Sequence, residues 1–275
     1  MEQTLTGRIL RLRVGCEFRY EVALPTPALF VVRPTAAGPY GEQWETNPAR
    51  PFHDYVDLYG NTCRRMTLLP GQTAVRYEAL VETAYLPDPM EWSAPQLAVD
   101  ELPDDALVYT MPSRYCQSDQ LAGRAWQLFG GVAPGWPLVQ AICDYVNGAL
   151  VFGYGSSTSG TSAVDALAAG AGVCRDFAHL AISFCRALNL PARYVFGYLP
   201  DIDVEPLEAP MDFAAWIEVY LGDRWWTFDP RNNVRRTGRV VIARGRDALD
   251  VAMVTTYGPA TLHEMKVCAE LAESS

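Results

Sequence analysis

A strict alternation of apolar and polar residues near the start of the sequence constrains the fold most. Between residues 10 and 22 every second position is apolar, namely Leu10, Leu12, Val14, Cys16, Phe18, Tyr20 and Val22. A period of two over this length predicts a long β-strand with one buried face. Segments 28–34, 55–69 and 74–85 continue the β pattern. Residues 1–86 are therefore predicted to form a small antiparallel β-sandwich domain.

After this domain the sequence changes from strand patterns to helix patterns. Residues 87–136 are rich in proline and acidic residues, and they are predicted to be a connector with a short helix. Apolar spacing predicts a helix over 137–148, and Ser162 with Asp165 resembles a capping box that opens another short helix. A third helix is predicted to begin after "AAGAG", and strands follow it. This order predicts an α+β core over 137–275.

Charge and cysteine usage exclude several classes of partner. The net charge of −10 comes from 32 acidic and 22 basic residues, which argues against nucleic acid or an anionic membrane as partner. The sequence has no apolar run of membrane-spanning length and no signal-peptide core, so a cytoplasmic location is expected. Its 7 cysteines lack C-x-x-C spacing, which favours reduced thiols over disulfides or a zinc site.

Cys174 is the cysteine best placed for chemistry. It follows a Gly-Ala-Gly-Val turn and opens a predicted helix, where unpaired N–H groups and the helix dipole favour an anion. A thiol there can shift from its reference pKa of about 8.5 toward neutrality. The same amides could hold an oxyanion. On this motif alone, a buried cysteine at a helix start is as good an interpretation.

The other candidate side chains are less specific. Asp229 ends the strand in "WWTFDP" and could orient an imidazole, although an aspartate before proline is also a common turn. His179 lies five residues after Cys174, about 140° around the helix and roughly 7.5 Å along it, so its ring is not expected to reach the sulfur. It is predicted to be a core histidine. His53 and His263 are expected to have surface or structural roles.

Two segments of the sequence together resemble the motifs of the transglutaminase-like superfamily. "GVCRDFAHLAISFCRALNLPARYVFGYL" resembles the cysteine motif, and "AWIEVYLGDRWWTFDPRNN" resembles the histidine and aspartate motifs. The N-terminal strands look like the β-domain of the bacterial subgroup. The resemblance implies a papain-like transglutaminase core preceded by the β-sandwich. It also implies acyl transfer through a cysteine thiolate, with Cys174 as nucleophile and Asp229 as the acidic partner.

The sequence departs from the family at the catalytic histidine. That residue normally stands in "HAW", and the corresponding position here is Ala214. Losing a general acid/base typically costs on the order of 10²–10⁴ in rate. One explanation is a laboratory substitution to trap a complex. The favoured explanation is natural divergence, because a similar bacterial branch with "PMDF", "GRW" and "ARGRDA" carries a small residue here and can place a histidine at the position of Asn232.

The resemblance implies a cysteine-dependent amide hydrolase or acyl transferase acting on peptide or isopeptide bonds of a peptide or protein substrate. The catalytic positions are Cys174, Asp229 and Ala214. The predicted substrate-binding residues are Gly172, Asp212, Phe213 and Trp216. The alternative is a catalytically inactive scaffold that binds a peptide or protein partner. Neither function requires a cofactor or a metal.

Overall fold

The structure is a computed structural model that describes residues 8–35, 38–206 and 209–272. Its strands are β1 (Ile9–Val22), β2 (Thr26–Phe30), β3 (Tyr40–Asn47), β4 (Phe52–Val56), β5 (Thr62–Leu68), β6 (Gly71–Ala84), β7 (Val151–Phe152), β8 (Ala171–Gly172), β9 (Ala192–Tyr198), β10 (Ala214–Leu221), β11 (Arg224–Phe228), β12 (Val240–Gly245), β13 (Val254–Thr256) and β14 (Ala260–Leu271). Its α-helices are α1 (Asp104–Leu107), α2 (Ser118–Phe129), α3 (Trp136–Ala149), α4 (Ala163–Ala169) and α5 (Cys174–Ala187). Across the described ranges, no helix combines the length and apolar character needed to cross a membrane.

A β-sandwich is formed by the six N-terminal strands together with β13 and β14. One antiparallel sheet has the strand order β14-β1-β6-β3, and the other has the order β13-β2-β5-β4. The apolar face of β1 is buried throughout, as its alternation predicts. Phe18 of β1 meets Phe30 of β2 with ring centroids 5.9 Å apart, so the two sheets share one apolar core.

The predicted domain boundaries need correction at two places. Strands β13 and β14 pair with β2 and β1, so the last two strands belong to the sandwich and not to the core predicted over 137–275. Half of the residues of β14 are exposed and only Ala269 is fully buried, so its weak apolar pattern gives no indication of its distant partner. Helix α2 lies in the predicted connector 87–136, yet it packs on α5 as part of the core.

The core is built around α5 and a four-stranded antiparallel sheet of order β11-β10-β9-β12. Helix α5 packs against this sheet and against α2, α3 and α4. All residues from Asp176 to Arg186 are buried, because neighbours cover every face of the helix after its first turn. The first turn, which carries Cys174, is the part that is left partly open.

Several contacts fix the sandwich against the core. The Asn61 side chain exchanges two 2.8 Å hydrogen bonds with the backbone of Arg244. The Tyr198 hydroxyl donates to the backbone oxygen of Val32 over 3.0 Å. The ring of Phe213 stacks on that of Phe18, with centroids 6.4 Å apart. The segment that leads into β10 is thereby anchored on the sandwich.

Candidate active site

A tight connection places Cys174 at the first position of α5. Helix α4 ends at Gly170, which has a φ of 65°, and the short strand β8 follows it. The Asp176 carboxylate accepts a 2.8 Å hydrogen bond from the backbone N–H of Val173 and so caps α5. A Cβ added at Gly172 would lie 2.6 Å from the Cβ of Asp176. Glycine at 172 therefore permits the cap that fixes the position of the cysteine.

A cavity of about 520 Å³ lies beside this first turn. Its polar lining residues are Cys174, Asp201, Glu205, Asp212, Arg231, Asn232 and Arg236, and its apolar ones include Phe152, Tyr154, Val173, Leu199, Val204, Met211, Phe213, Ala214 and Val234. A mixed lining of this kind suits a ligand with apolar and polar parts. No cluster of three or more His, Cys, Asp or Glu side chains suited to a metal occurs among the residues that the structure describes.

The surroundings of Cys174 oppose the thiolate. Burial of the sulfur raises the pKa of Cys174 to about 11, although a hydrogen bond from the backbone N–H of Ala215 lowers it. The Asp212 carboxylate raises the pKa of the thiol further, while the Arg231 guanidinium lowers it. The direction is opposite to the shift predicted from the helix start, because burial and nearby carboxylates outweigh the stabilising groups. Cys174 is therefore a neutral thiol at pH 7.

No histidine reaches the cavity. Ala214 begins β10 and lines the cavity with only a methyl group. Of the 3 histidines in the chain, His53 and His263 lie in sandwich strands β4 and β14. His179 is fully buried within α5, and its Nε2 accepts a 3.1 Å hydrogen bond from the backbone N–H of Ala248. His179 is thus a core residue, as predicted.

Asp229 is buried behind the cavity wall rather than in it. Its Oδ2 accepts hydrogen bonds of 2.8 Å from Asn232 Nδ2 and from Arg239 Nη2, and its Oδ1 accepts one of 2.9 Å from the Asn232 backbone. Burial would raise the pKa of Asp229, but the Arg239 charge and the Asn232 donors outweigh burial and hold the pKa below its ordinary value. Asn232 lines the cavity, so its amide links the buried Asp229 to the cavity wall.

Asp212 supplies a carboxyl group to the cavity. Its Oδ1 accepts a 2.7 Å hydrogen bond from the backbone N–H of Phe213. Burial raises the pKa of Asp212 above its ordinary value. No arginine or lysine of the described ranges forms a salt bridge with it. A carboxyl group with a raised pKa beside a nucleophile is a frequent mark of a functional site.

Two of the predicted substrate-binding residues lie outside the cavity, whereas Asp212 and Phe213 line it. Gly172 is buried beneath the capping carboxylate. Trp216 is only 1% exposed, and its indole packs against Gly197 and faces the Arg239 guanidinium. The roles predicted for Gly172 and Trp216 are therefore corrected to structural ones. The sequence motifs identified residues near the site, but they could not distinguish residues that line the cavity from residues that pack behind it.

These features define a class of protein: an α+β core of papain-like type, with a cysteine at a helix start, preceded by a β-sandwich. Known proteins agree with this class. The sequence model of the transglutaminase-like superfamily matches residues 127–230. The crystal structure of a candidate cysteine protease from Cytophaga hutchinsonii superposes with a TM-score of 0.88 at 32% identity, covering 98% of this chain and 93% of that one.

Sequence relatives extend the comparison. An uncharacterized protein of Mycobacterium leprae is 30% identical over 217 residues, which are 76% of this chain and 76% of that protein. An uncharacterized protein of Mycobacterium tuberculosis is 37% identical over 131 residues, which are 43% of this chain and 41% of that protein. The chain belongs to the transglutaminase-like superfamily, and the fold class predicted from its sequence is confirmed.

Proposed function

We propose that this protein is a cysteine-dependent amide hydrolase or acyl transferase that acts on peptide or isopeptide bonds, with Cys174 as nucleophile. The observation that carries the proposal is the position of the partly exposed Cys174 in the first turn of α5, where it lines a cavity of about 520 Å³. The proposal is supported by the transglutaminase-like superfamily of the chain and by its structural similarity to a candidate cysteine protease. A peptide or protein substrate and a cytoplasmic location stay predictions from the sequence.

In this proposal Asp212 takes the role of the absent imidazole. Its carboxylate lines the same cavity as Cys174, and its raised pKa makes it a stronger base than an ordinary aspartate. As the sulfur attacks the amide carbonyl carbon, the thiol proton moves to Asp212. The tetrahedral intermediate then collapses to a thioester, and the leaving amine takes the proton from Asp212. Water or a second amine attacks the thioester and regenerates the thiol.

Backbone groups complete the proposed chemistry. The N–H of Cys174 lies in the first turn of α5, where backbone donors have no partner within the helix. This N–H is the group we assign to the oxyanion of the tetrahedral intermediate. Because Cys174 is a neutral thiol at pH 7, proton removal has to accompany attack, and we expect a slower enzyme than a family member with a histidine.

The second candidate function is an inactive scaffold that binds a peptide or protein partner in the same cavity. It is favoured by one observation: no histidine is among the described residues that line the cavity. Burial, which raises the pKa of the Cys174 thiol to about 11, agrees with it. A binding protein needs no accessible nucleophile. The two functions therefore differ in whether Cys174 accepts an acyl group faster than an ordinary thiol does.

Acylation by p-nitrophenyl butyrate, located by mass spectrometry of peptides, tests the enzyme proposal. Cys174 and Cys268 are the cysteines that are not fully buried, so Cys268 is the internal control. We expect butyryl transfer to Cys174 to outpace transfer to Cys268, and Asp212→Asn to slow only the former, by about 10²–10⁴. The matched control is Asp223→Asn, at an exposed turn. Equal acylation of the two cysteines would favour the scaffold instead.

A further inference from the structure

Arg231 is an exception among the arginines of the core. The other partly or fully buried core arginines each meet carboxylate or carbonyl partners: Arg175 with Asp176, Arg193 and Arg244 with Glu218, Arg236 with Asp201, Arg239 with Asp88 and Asp229, Arg246 with Asp250, and Arg186 with three backbone carbonyls. Within the ranges that the structure describes, no carboxylate lies at ion-pairing distance from Arg231. Yet Arg231 is partly buried and lines the cavity of Cys174.

The side chain and backbone of Arg231 are both held in place. Its guanidinium carbon lies 4.1 Å from the centroid of the Phe152 ring, a favourable stacking contact for a cation. The Nδ2 of Asn147, in α3, donates to the backbone oxygens of Pro230 and Arg231 over 3.1 and 2.8 Å. The guanidinium is therefore presented to the cavity in a fixed geometry, which reduces the entropy lost when a ligand binds.

A hydrogen-bonded chain from Asp229 orients the guanidinium. An ionised Asp229 can only accept hydrogen bonds, so the amide nitrogen of Asn232 must face it, as it does over 2.8 Å. The amide oxygen of Asn232 is then directed away from Asp229, and it accepts a 3.3 Å hydrogen bond from Arg231 Nη1. The acid that would orient an imidazole thus orients an arginine, through Asn232.

We propose that Arg231 binds a carboxylate of the substrate, so that the protein acts on amides that carry a free carboxylate close to the scissile bond. The cleavage of that bond rests on the proposed function, whereas the binding of the carboxylate by Arg231 does not depend on it. A planar guanidinium pairs with a carboxylate through two parallel hydrogen bonds. A partly buried cation without an anion is costly, and a substrate carboxylate would remove that cost.

The other arginine of the cavity is already occupied. The Nη2 of Arg236 donates to the backbone oxygen of Pro200 over 3.0 Å and to the Asp201 carboxylate over 3.3 Å. Arg231 is therefore the arginine of the cavity that forms no salt bridge with a carboxylate of the described residues. Arg231 and Cys174 line the same cavity, and the Arg231 charge lowers the pKa of the thiol. A carboxylate bound to Arg231 would therefore share the cavity with the sulfur.

Binding to full-length Cys174→Ala protein tests the proposal without any chemistry. Two pairs of probes, titrated by saturation-transfer NMR at pH 7, distinguish the source of the carboxylate. The first pair is N-acetylglycine and its neutral amide N-acetylglycinamide, in which the carboxylate lies on the amine side of the scissile amide. The second pair is succinamic acid and succinamide, in which the carboxylate lies on the acyl side. We expect one acid to bind about 10- to 100-fold more tightly than its neutral twin, as a charge-assisted hydrogen bond allows.

Further substitutions in the same protein assign that preference to a residue. Arg231→Gln should remove it, and Asn232→Ala should reduce it several-fold because the guanidinium loses its positioning partner. Arg224→Gln, at the exposed start of β11 next to the far end of β10, should leave it intact. The far end of β10 lies about 23 Å along the strand from Ala214. Thermal unfolding of each variant checks that it is folded.

Two results would overturn the proposal: equal binding of acids and neutral twins, or a preference for acids that survives Arg231→Gln. Failure of the enzyme proposal has a different outcome. If Cys174 accepts no acyl group but the preference for the acid depends on Arg231, the carboxylate site is supported and the enzyme proposal is rejected. If Cys174 is acylated and no preference is found, only the carboxylate site falls.

Discussion

Replacing Asp229 with asparagine should destabilise the protein strongly, because Asp229 is the buried centre of an ion-pair network. The carboxylate is 6% exposed and accepts three hydrogen bonds of 2.8 to 2.9 Å. Removing one partner of a buried ion pair typically costs about 3–5 kcal/mol. Arg239 keeps its two bonds to Asp88, of 3.0 and 2.8 Å. We therefore expect Asp229→Asn to lower the free energy of unfolding by about 2–4 kcal/mol at pH 7.

This loss should depend on pH in a defined direction. The pKa of Asp229 is lower in the folded protein than its ordinary value. Its ionised form therefore stabilises the fold above the unfolded-state pKa of about 3.9, and that contribution is lost as the pH falls through the folded-state pKa. The stability difference between wild type and Asp229→Asn should be constant from pH 7 to about 5 and shrink below about 4.

Urea denaturation followed by tryptophan fluorescence, at pH values from 7 downward, measures this difference. Asp223→Asn is the matched control, because Asp223 is exposed in the turn between β10 and β11, and it should change the free energy of unfolding by less than about 0.5 kcal/mol. A loss under about 0.5 kcal/mol for Asp229→Asn at pH 7, or a loss that does not shrink in acid, would refute the assigned network.

Two other substitutions test the geometry around the thiol. Gly172→Ala would place a Cβ 2.6 Å from that of Asp176 and should cost about 1–3 kcal/mol of stability in a thermal melt. The control is Gly148→Ala, where nothing lies within 4 Å of the added Cβ, and it should gain up to about 1 kcal/mol. Equal effects of the two substitutions would contradict the close approach at Gly172. Ala214→His should lower the pKa of Cys174 from about 11 by roughly 1–3 pH units, since an imidazolium stabilises a thiolate; an unchanged pH profile of iodoacetamide alkylation would show that position 214 does not face the sulfur.

The sequence predicted those elements of the fold that depend on interactions between neighbouring residues. The alternation in 10–22 predicts β1 because a strand with one buried face needs every second residue to be apolar. The helix predicted over 137–148 is α3, Trp136–Ala149, and Ser162 caps α4 through a backbone N–H as its sequence indicates. In each case neighbours along the chain supply the determining interactions.

The features that the sequence did not reveal depend on residues far apart in the chain. Pairing of β14 with β1 joins the two ends of the described chain, and no turn or spacing marks it. The raised pKa of Cys174 follows from burial and from Asp212, 38 positions later, so the helix start alone gave the wrong direction. Arg231 has no sequence signal of its own, because only the folded chain shows that no carboxylate of residues 8–35, 38–206 and 209–272 forms an ion pair with it.

In the proposed mechanism Asp212, and not a preformed thiolate, starts the chemistry at Cys174. The pH dependence of Cys174 acylation by p-nitrophenyl butyrate, between pH 4 and 10, tests it most directly. If Asp212 is the base, the rate should rise as a carboxyl group ionises and then stay level, since the thiol keeps its proton up to a pKa of about 11. A rate that climbs about tenfold per pH unit through pH 7–10, following the thiolate fraction, would contradict it.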